Sequence, residues 1–448
     1  MLNTFLKYCK LHKVSVILVL FSCLFYYVIA YHFQRTEFIK LIVLFSGLFV
    51  FSYKIVQFEK FNFKFLLWSG VFFRLVFLFT LPNLSQDFYR FIWDGELVSN
   101  LINPYLKVPN ELIVQPDLVI DNAEELLLGM GELSPKFYSN YPPLNQIIFA
   151  IAALFGGKSI LGSVIVMRLS IMASDVGIVY FGRKLLKNLN FSPHLIFGYF
   201  LNPLVILELS GNLHFEAVML FFFVWSLYLL SKNNWRMAGV LYAFSIAIKL
   251  VPLLFLPLFI KYLGLKKSIL FYSIVAAVSL LLLVPFYSPD FFANYSETVG
   301  LWFSNFEFNA SLYNVVKKIA VLYFDKKPWE LIISYGKITP YIIIGIVLCF
   351  SWFQKKQKLP LLITSMLWVL SIYYLISATV HPWYIVFLVF LTIFTKFKFA
   401  ILWSAFVILS YWAYSNPSYT EHLGILCIEY ITILSYMAYE ISIVYSKK

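Results

Sequence analysis

Ser85-Gln86-Asp87-Phe88-Tyr89-Arg90-Phe91-Ile92-Trp93-Asp94-Gly95-Glu96, running on to Asn103-Pro104-Tyr105, is the stretch on which the reading of the fold turns. It begins where an apolar run over 65–82 stops, and it opens the longest polar segment of the chain, 83–141. Asp87, Asp94, Glu96, Arg90 and a group of aromatic rings are crowded into this short segment. An ordinary connecting loop requires no such density. The preceding run approaches the length, about 20 residues, at which an apolar helix crosses a bilayer. The stretch therefore sits where a membrane helix gives way to water.

Apolar runs of similar length recur along the whole chain. Of 448 residues 61% are hydrophobic and only 13% charged, with a mean hydropathy of +0.81. A soluble protein keeps about 25% charged residues, so most of this surface does not face water. The expected fold class is an all-α polytopic membrane protein, a single domain over 1–448. About 12 transmembrane helices are expected, plus re-entrant or half helices. The extracytoplasmic loops, chiefly 83–141 and 289–337, are expected to carry short juxtamembrane helices. A β-barrel is disfavoured because the apolar runs are continuous rather than alternating. The net charge of +13 comes from lysines clustered between apolar runs, which fits the positive-inside rule better than nucleic-acid binding. Cys9, Cys23, Cys349 and Cys427 show no metal spacing and no disulfide framework. The first apolar run continues to about Ala30 without a small-x-small cleavage site, so a retained helix is expected.

Charge placement orients the spans. Lys7, Lys10 and Lys13 precede the first span, 14–31, and put the N-terminus in the cytoplasm. A second span, 38–57, is followed by Lys60 and Lys64, and the third, 65–82, delivers Asp87 to the exterior. Loop 83–141 carries Arg90, Lys107 and Lys136 against nine acidic residues, as an external loop should. Within it, 86–100 and 121–130 are expected to form short helices on the membrane surface.

If both 143–156 and 159–182 spanned the membrane, Arg183, Lys184 and Lys187 would be external. Segment 143–156, opened by Tyr141-Pro142-Pro143 and closed by Gly156-Gly157, is therefore expected to be short or re-entrant. By the same reasoning Lys249 and Pro252 split 237–262 into two half-length pieces, as is tolerated where helices line a protein cavity. Lys261, Lys266 and Lys267 then stay inside. So do Lys232 and Arg236, Lys355 to Lys358, Lys396 and Lys398, and the Lys447-Lys448 tail. Asp87, Glu208, His214, Glu216, Lys249, loop 289–337 and His381 come out on the external side.

Ionisable residues inside membrane segments are costly and mark function. Asp175, Glu208, Glu216 and Lys249 are the clearest cases, with Arg168, two turns before Asp175, offering that residue a structural partner. Glu208, His214 and Glu216 join two spans at the outer face, where they could bind sugar hydroxyls or a divalent metal, although the spacing is no standard zinc pattern. His381-Pro382-Trp383-Tyr384 opens another span at the same face. Asn309-Ala310-Ser311 formally matches a glycosylation acceptor, but the flanking Phe306 and Phe308 favour a segment packed against the membrane surface.

No glycine-rich phosphate loop follows a strand, and nucleotide sugars are absent outside the cytoplasm. A sugar transfer at this face would draw on a lipid-carried donor. The acceptor hydroxyl then needs a carboxylate to take its proton, the part that suits Asp87. The departing phosphate needs a cation, the part that suits Lys249, with Arg90 and His381 in reserve. A transporter or flippase of lipid-linked sugars would share the broken helices and intramembrane charges, but here those charges gather on one face rather than at mid-depth.

The first block, Asp87-Phe-Tyr-Arg90-Phe-Ile-Trp93-Asp94-Gly95 followed by Asn103-Pro104-Tyr105, resembles the first-loop signature of the GT-C superfamily. Within it the similarity is to bacterial membrane mannosyltransferases and the catalytic subunit of the first glycosylphosphatidylinositol mannosyltransferase. Tyr141-Pro142-Pro143-Leu144, Asn202-Pro203…Glu208…His214-Phe-Glu216, Lys249-Leu-Val-Pro252, Phe308-Asn309-Ala-Ser311-Leu312 and His381-Pro382-Trp383-Tyr384 follow in order, so that the resemblance spans about 65–390. Ile102 stands where the pattern often has glycine, and Glu216 where it often has aspartate.

The resemblance implies a GT-C-type helical bundle and an inverting transferase. Its donor would be a polyprenyl-phosphate sugar, usually mannose, and its acceptor a lipid-linked species or glycan. Asp87 is then the base, and Asp94 orients the acceptor or a metal. Substrate contacts are expected from Glu96, Asn103, Tyr105, Tyr141, Glu208, His214, Glu216, Asn309, Trp383 and Tyr384. No cofactor is assigned, a divalent cation (Mg or Mn) being the possible one, and no metal-ligand residues are assigned. The expected surroundings are membrane lipids rather than nucleic acid, in a bacterial inner membrane with the site facing the periplasm or exterior.

Overall fold

A computed structural model describes residues 10–353 and 358–446. Lys7, Cys9, Lys355, Lys356 and the Lys447-Lys448 tail lie outside the described residues. The described chain is helical almost throughout, its one β feature being an isolated parallel bridge between Phe308 and Thr379. In lipid every backbone N–H and C=O must find its partner within the protein, and a helix achieves this within one segment.

The chain opens with α1 (Lys13–Tyr31) and α2 (Phe38–Phe58), a hairpin whose outer faces carry exposed Leu20, Leu24, Ile39 and Val43. Then come α3 (Phe63–Leu75), α4 (Asp87–Ser99), α5 (Ala123–Gly129), α6 (Pro143–Phe155) and α7 (Ile160–Asn188). Helices α4 and α5 fall in the ranges 86–100 and 121–130 where short helices are expected, but α4 is no surface helix: from Arg90 to Leu97 it is buried within the protein. The run expected to span as 65–82 is helical only to Leu75, beyond which 3-10-type bonds tighten the chain as far as Thr80. Helix α6 has 13 residues, about 20 Å of rise, too short for a hydrocarbon core of about 30 Å. The half-length reading of that segment is confirmed.

After α7 two pieces, Pro193–Phe200 and Pro203–Gly211, meet at 54°, and the second widens into a π-helical turn over Ile206–Gly211. Helices α8 (Glu216–Ser231) and α9 (Trp235–Ile248) follow. Helix α9 stops at Lys249, whose backbone is extended (φ −147°, ψ 139°), before a 3-10 stretch over Val251–Leu258 and a short helix over Phe259–Leu263. The expected break at Lys249 and Pro252 is thus present. The rest comprises α10 (Leu265–Leu283), α11 (Phe291–Ser304), α12 (Leu312–Phe324), α13 (Pro328–Phe353), α14 (Leu359–Ile376), α15 (Ile385–Thr392), α16 (Phe399–Phe406) and α17 (Leu423–Ser446).

Among the described residues seven helices, α1, α2, α7, α10, α13, α14 and α17, are long and apolar enough to cross a membrane, and counting the bent pair as one span brings the number to eight. The remaining apolar runs form shorter helices, among them α6, α8 and α9. Around them the interior is packed with apolar side chains: Phe200, Leu204, Val224 and Phe390 are fully buried.

Two contacts fix the elements beneath the site. A Cβ on Gly95 would lie 2.3 Å from the carbonyl oxygen of Phe149, so only glycine lets α4 and α6 approach so closely. Asp175 is paired with Arg74 (Nε to Oδ2, 2.7 Å) and accepts from Tyr199 (2.9 Å), rather than meeting Arg168. Two turns of helix separate Arg168 from Asp175 by about 10 Å of rise, and Arg168 instead donates to the carbonyls of Leu78, Thr80, Ser210 and Gly211. It thereby satisfies the ends of α3 and of the π-helical turn, which lack backbone partners of their own.

Candidate active site

A cavity of about 910 Å³ opens where the short helices end. Asp87, Arg90, Tyr141, His214, Glu216, Lys249, His381, Trp383 and Tyr384 all line it. These nine residues come from segments nearly 300 positions apart, yet charge placement in the sequence puts all of them on one face.

Asp87 is the first residue of α4, so the positive end of the helix dipole favours its charge. Its backbone N–H donates to the Ser85 hydroxyl at 3.3 Å. Burial pushes the Asp87 carboxyl above the usual carboxylate range, against an opposing pull from Lys249 and with a further upward push from Glu216. A carboxylate held in this way is a stronger base than a solvated one.

One turn on, Arg90 is braced rather than free. Its Nε donates to Asp94 Oδ1 at 2.7 Å, and its Nη1 donates to the carbonyls of Ser134 (2.9 Å) and Phe137 (3.0 Å). Asp94 is fully buried and does not reach the cavity; it also accepts from Ser139 Oγ (2.5 Å) and Gln146 Nε2 (3.2 Å). The geometry makes it the counter-charge that ties loop 131–141 to α4.

Lys249 Nζ bonds Glu216 Oε1, while Glu216 Oε2 is buried without a partner. Beside this pair the rings of His214 and Trp383 stack at 3.8 Å and those of Trp383 and His381 at 4.3 Å, with Phe308 continuing the pile at 5.0 Å from His381. A flat apolar wall with imidazole edges suits a sugar ring, whose C–H faces stack and whose hydroxyls need polar partners.

The other expected contact residues do not line the cavity. Glu208 accepts from Tyr411 (2.7 Å) and Asn212 (3.1 Å), shaping the turn that carries His214. Asn103 donates to the Phe286 carbonyl (2.8 Å), and Tyr105 donates to that of Tyr141 (2.5 Å), so both pin the wall from outside. Glu96 is buried on a different side, where burial raises its carboxyl and the nearest charges are Asp121 and Lys158. Asn309 is fully buried against α17, donating to Glu429 at 3.2 Å, while its carbonyl accepts from Tyr430. Its neighbourhood is therefore protein interior rather than the membrane surface.

His214 Nε2 lies 3.6 Å from Glu208 Oε2, whereas Glu216 bonds Lys249 instead. Among the described residues no group of three or more His, Cys, Asp or Glu side chains has a metal-holding arrangement. Arg35, Glu132, Asn140, Asn145, Tyr414 and Tyr419 also line the cavity and were not anticipated. Arg35 alone had left a trace in the sequence, as a cation in a loop assigned to the outside, where positive residues are scarce.

Fold and site together define a multi-pass membrane protein with a partly open cavity in which carboxylates and cations face an aromatic wall. Residues 14–264, more than half of the chain, match the family model for the N-terminal domain of Alpha-(1->6)-mannopyranosyltransferase, and the chain belongs to that family. A curated relative from Mycobacterium tuberculosis, Alpha-(1->6)-mannopyranosyltransferase A, is 21% identical over 330 residues, covering 68% of this chain. The chain spans 60% of that relative's length. Asp87 through Lys249 fall inside the family match, whereas His381 and Trp383 are brought to the cavity from beyond it.

Proposed function

We propose that this protein is an inverting mannosyltransferase. It moves mannose from a polyprenyl-phosphate donor to a lipid-linked or glycan acceptor, at the extracytoplasmic face of a bacterial inner membrane. The acceptor hydroxyl attacks the anomeric carbon as the bond from that carbon to the phosphate oxygen breaks. Asp87 takes the hydroxyl proton, and the bonding pair leaves with the phosphate as polyprenyl phosphate. A single displacement inverts the anomeric centre, so an α-(1→6) product, the linkage in the relative's name, requires a β-linked donor. Lys249 faces the growing charge on the phosphate, and the wall of His214, Trp383 and His381 receives the sugar. The family membership of a chain in which Asp87 and Lys249 line one cavity supports this reading above all.

The test is transfer from radiolabelled polyprenyl-phosphate mannose to a panel of lipid and glycan acceptors, with Asp87→Asn alongside. Loss of a base is expected to lower the rate by about 10²–10⁴-fold in a protein that remains monodisperse. Transfer by both proteins at similar rates would keep the enzyme class and remove Asp87 as the base. Failure of the wild type to transfer to any acceptor, or to bind the donor, would overturn the reading.

A further inference from the structure

Three cations line the cavity among the described residues: Arg35, Arg90 and Lys249. Two are already matched, Arg90 by Asp94 and Lys249 by Glu216. Asp87, Glu132 and Glu216 line the same space, so its carboxylates are as numerous as its cations. With its charge partly offset by Glu216, Lys249 does not by itself balance a phosphate that gains negative charge, so the leaving group calls for a further positive charge that is not already compensated.

Arg35 is that charge. It takes part in none of the ion pairs found among the described residues. Its partners are rings instead. Nη2 donates to the Tyr419 hydroxyl at 2.7 Å, and the guanidinium lies 5.3 Å and 5.6 Å from the ring centroids of Tyr414 and Tyr419. Aromatic faces hold a guanidinium in place without cancelling its charge. Of its five N–H donors, the Tyr419 bond uses one, which leaves the fork available to phosphate oxygens.

The position suits a lipid-borne ligand. Arg35 sits in the short turn between α1 and α2, the hairpin with lipid-facing apolar flanks, while Phe38 at the start of α2 packs edge-on against Trp412 at 5.1 Å. A polyprenyl chain lying along this hairpin would carry its phosphate to the level of Arg35 and its sugar into the cavity.

We propose that Arg35, braced by Tyr414 and Tyr419, receives the donor phosphate at the cavity mouth. The assignment rests on the polyprenyl-phosphate donor proposed above. When the anomeric bond breaks, the phosphate passes from a diester to a monoester and gains negative charge, so Arg35 interacts more strongly with the leaving polyprenyl phosphate than with the donor.

The test is equilibrium binding of polyprenyl phosphate to the full-length protein in nanodiscs, with polyprenol as the phosphate-free control, for wild type, Arg35→Gln and Arg35→Lys. The wild type should prefer the phosphate by at least about tenfold, a factor that corresponds to 1.4 kcal/mol. Arg35→Gln should remove most of that preference without changing polyprenol binding, and Arg35→Lys should restore part of it. Arg35→Gln with an undiminished preference would overturn the assignment and leave the donor class standing. A wild type that does not distinguish phosphate from alcohol would overturn both.

Discussion

Replacing Asp94 by Asn should loosen the wall of the site rather than remove a reacting group. Asp94 is fully buried, and its three side-chain partners are Arg90, Ser139 and Gln146. Asparagine can still accept from Arg90 through its amide oxygen. Its NH2 would then face the Gln146 NH2, donor against donor, and Arg90 would be left with the Ser134 and Phe137 carbonyls and no counter-charge. Removing one partner of a buried ion pair costs about 3–5 kcal/mol. Because Arg90 reaches those two carbonyls, the cost should fall on the opening of 131–141. At 1.4 kcal/mol per decade, amide exchange there should speed up by about two to more than three orders of magnitude. Hydrogen exchange read by mass spectrometry on 131–141, with 160–188 as an internal control, checks this. The substitution should also impair transfer, but as a consequence. An Asp94→Asn protein with wild-type exchange over 131–141 and no transfer would refute the reasoning and return Asp94 to the reaction itself.

The raised Asp87 carboxyl has a sign that can be worked out. Only the ionised form accepts the acceptor's proton, so the acid limb of kcat/KM should lie above the ordinary aspartate value of about 4. Glu216→Gln, which removes a negative neighbour, should move that limb to lower pH; a pH–rate profile with its limb at or below the ordinary value would contradict the burial argument. Asp175→Asn should leave Arg74 buried without its counter-charge and cost about 3–5 kcal/mol, seen as a lowered unfolding temperature in detergent. Arg168→Gln would instead leave the Arg74–Asp175 pair intact, and similar unfolding shifts with strongly non-additive effects in the double variant would show that the two arginines share one network.

The membrane class, the break at Lys249, the half-length α6 and the co-location of nine site residues were all legible in the sequence. Each rests on local information: apolar length, charge placement, and proline or glycine punctuation within one segment. Legibility stopped where a side chain's partner lies far along the chain. Asp94 and Asp87 are both acidic residues of one short helix, yet one lies under the wall and the other in the cavity. Asp175 sits 101 residues from Arg74, and no spacing rule connects them. Asn103, Tyr105, Glu208 and Asn309 belong to well-marked motifs, but they brace the cavity's walls and neighbouring interior rather than lining it.

What the sequence by itself determined is what the bilayer demands: helices, and a shared site for the ionisable residues, because burying backbone or charge in lipid without partners is prohibitive whatever the rest of the chain does. What only the tertiary structure decided is which charges neutralise one another. Arg90 goes to Asp94, Lys249 to Glu216 and Arg74 to Asp175, while Arg35 lies against tyrosine rings. Pairing energies act over a few ångströms, and only the packed helices bring those distances about.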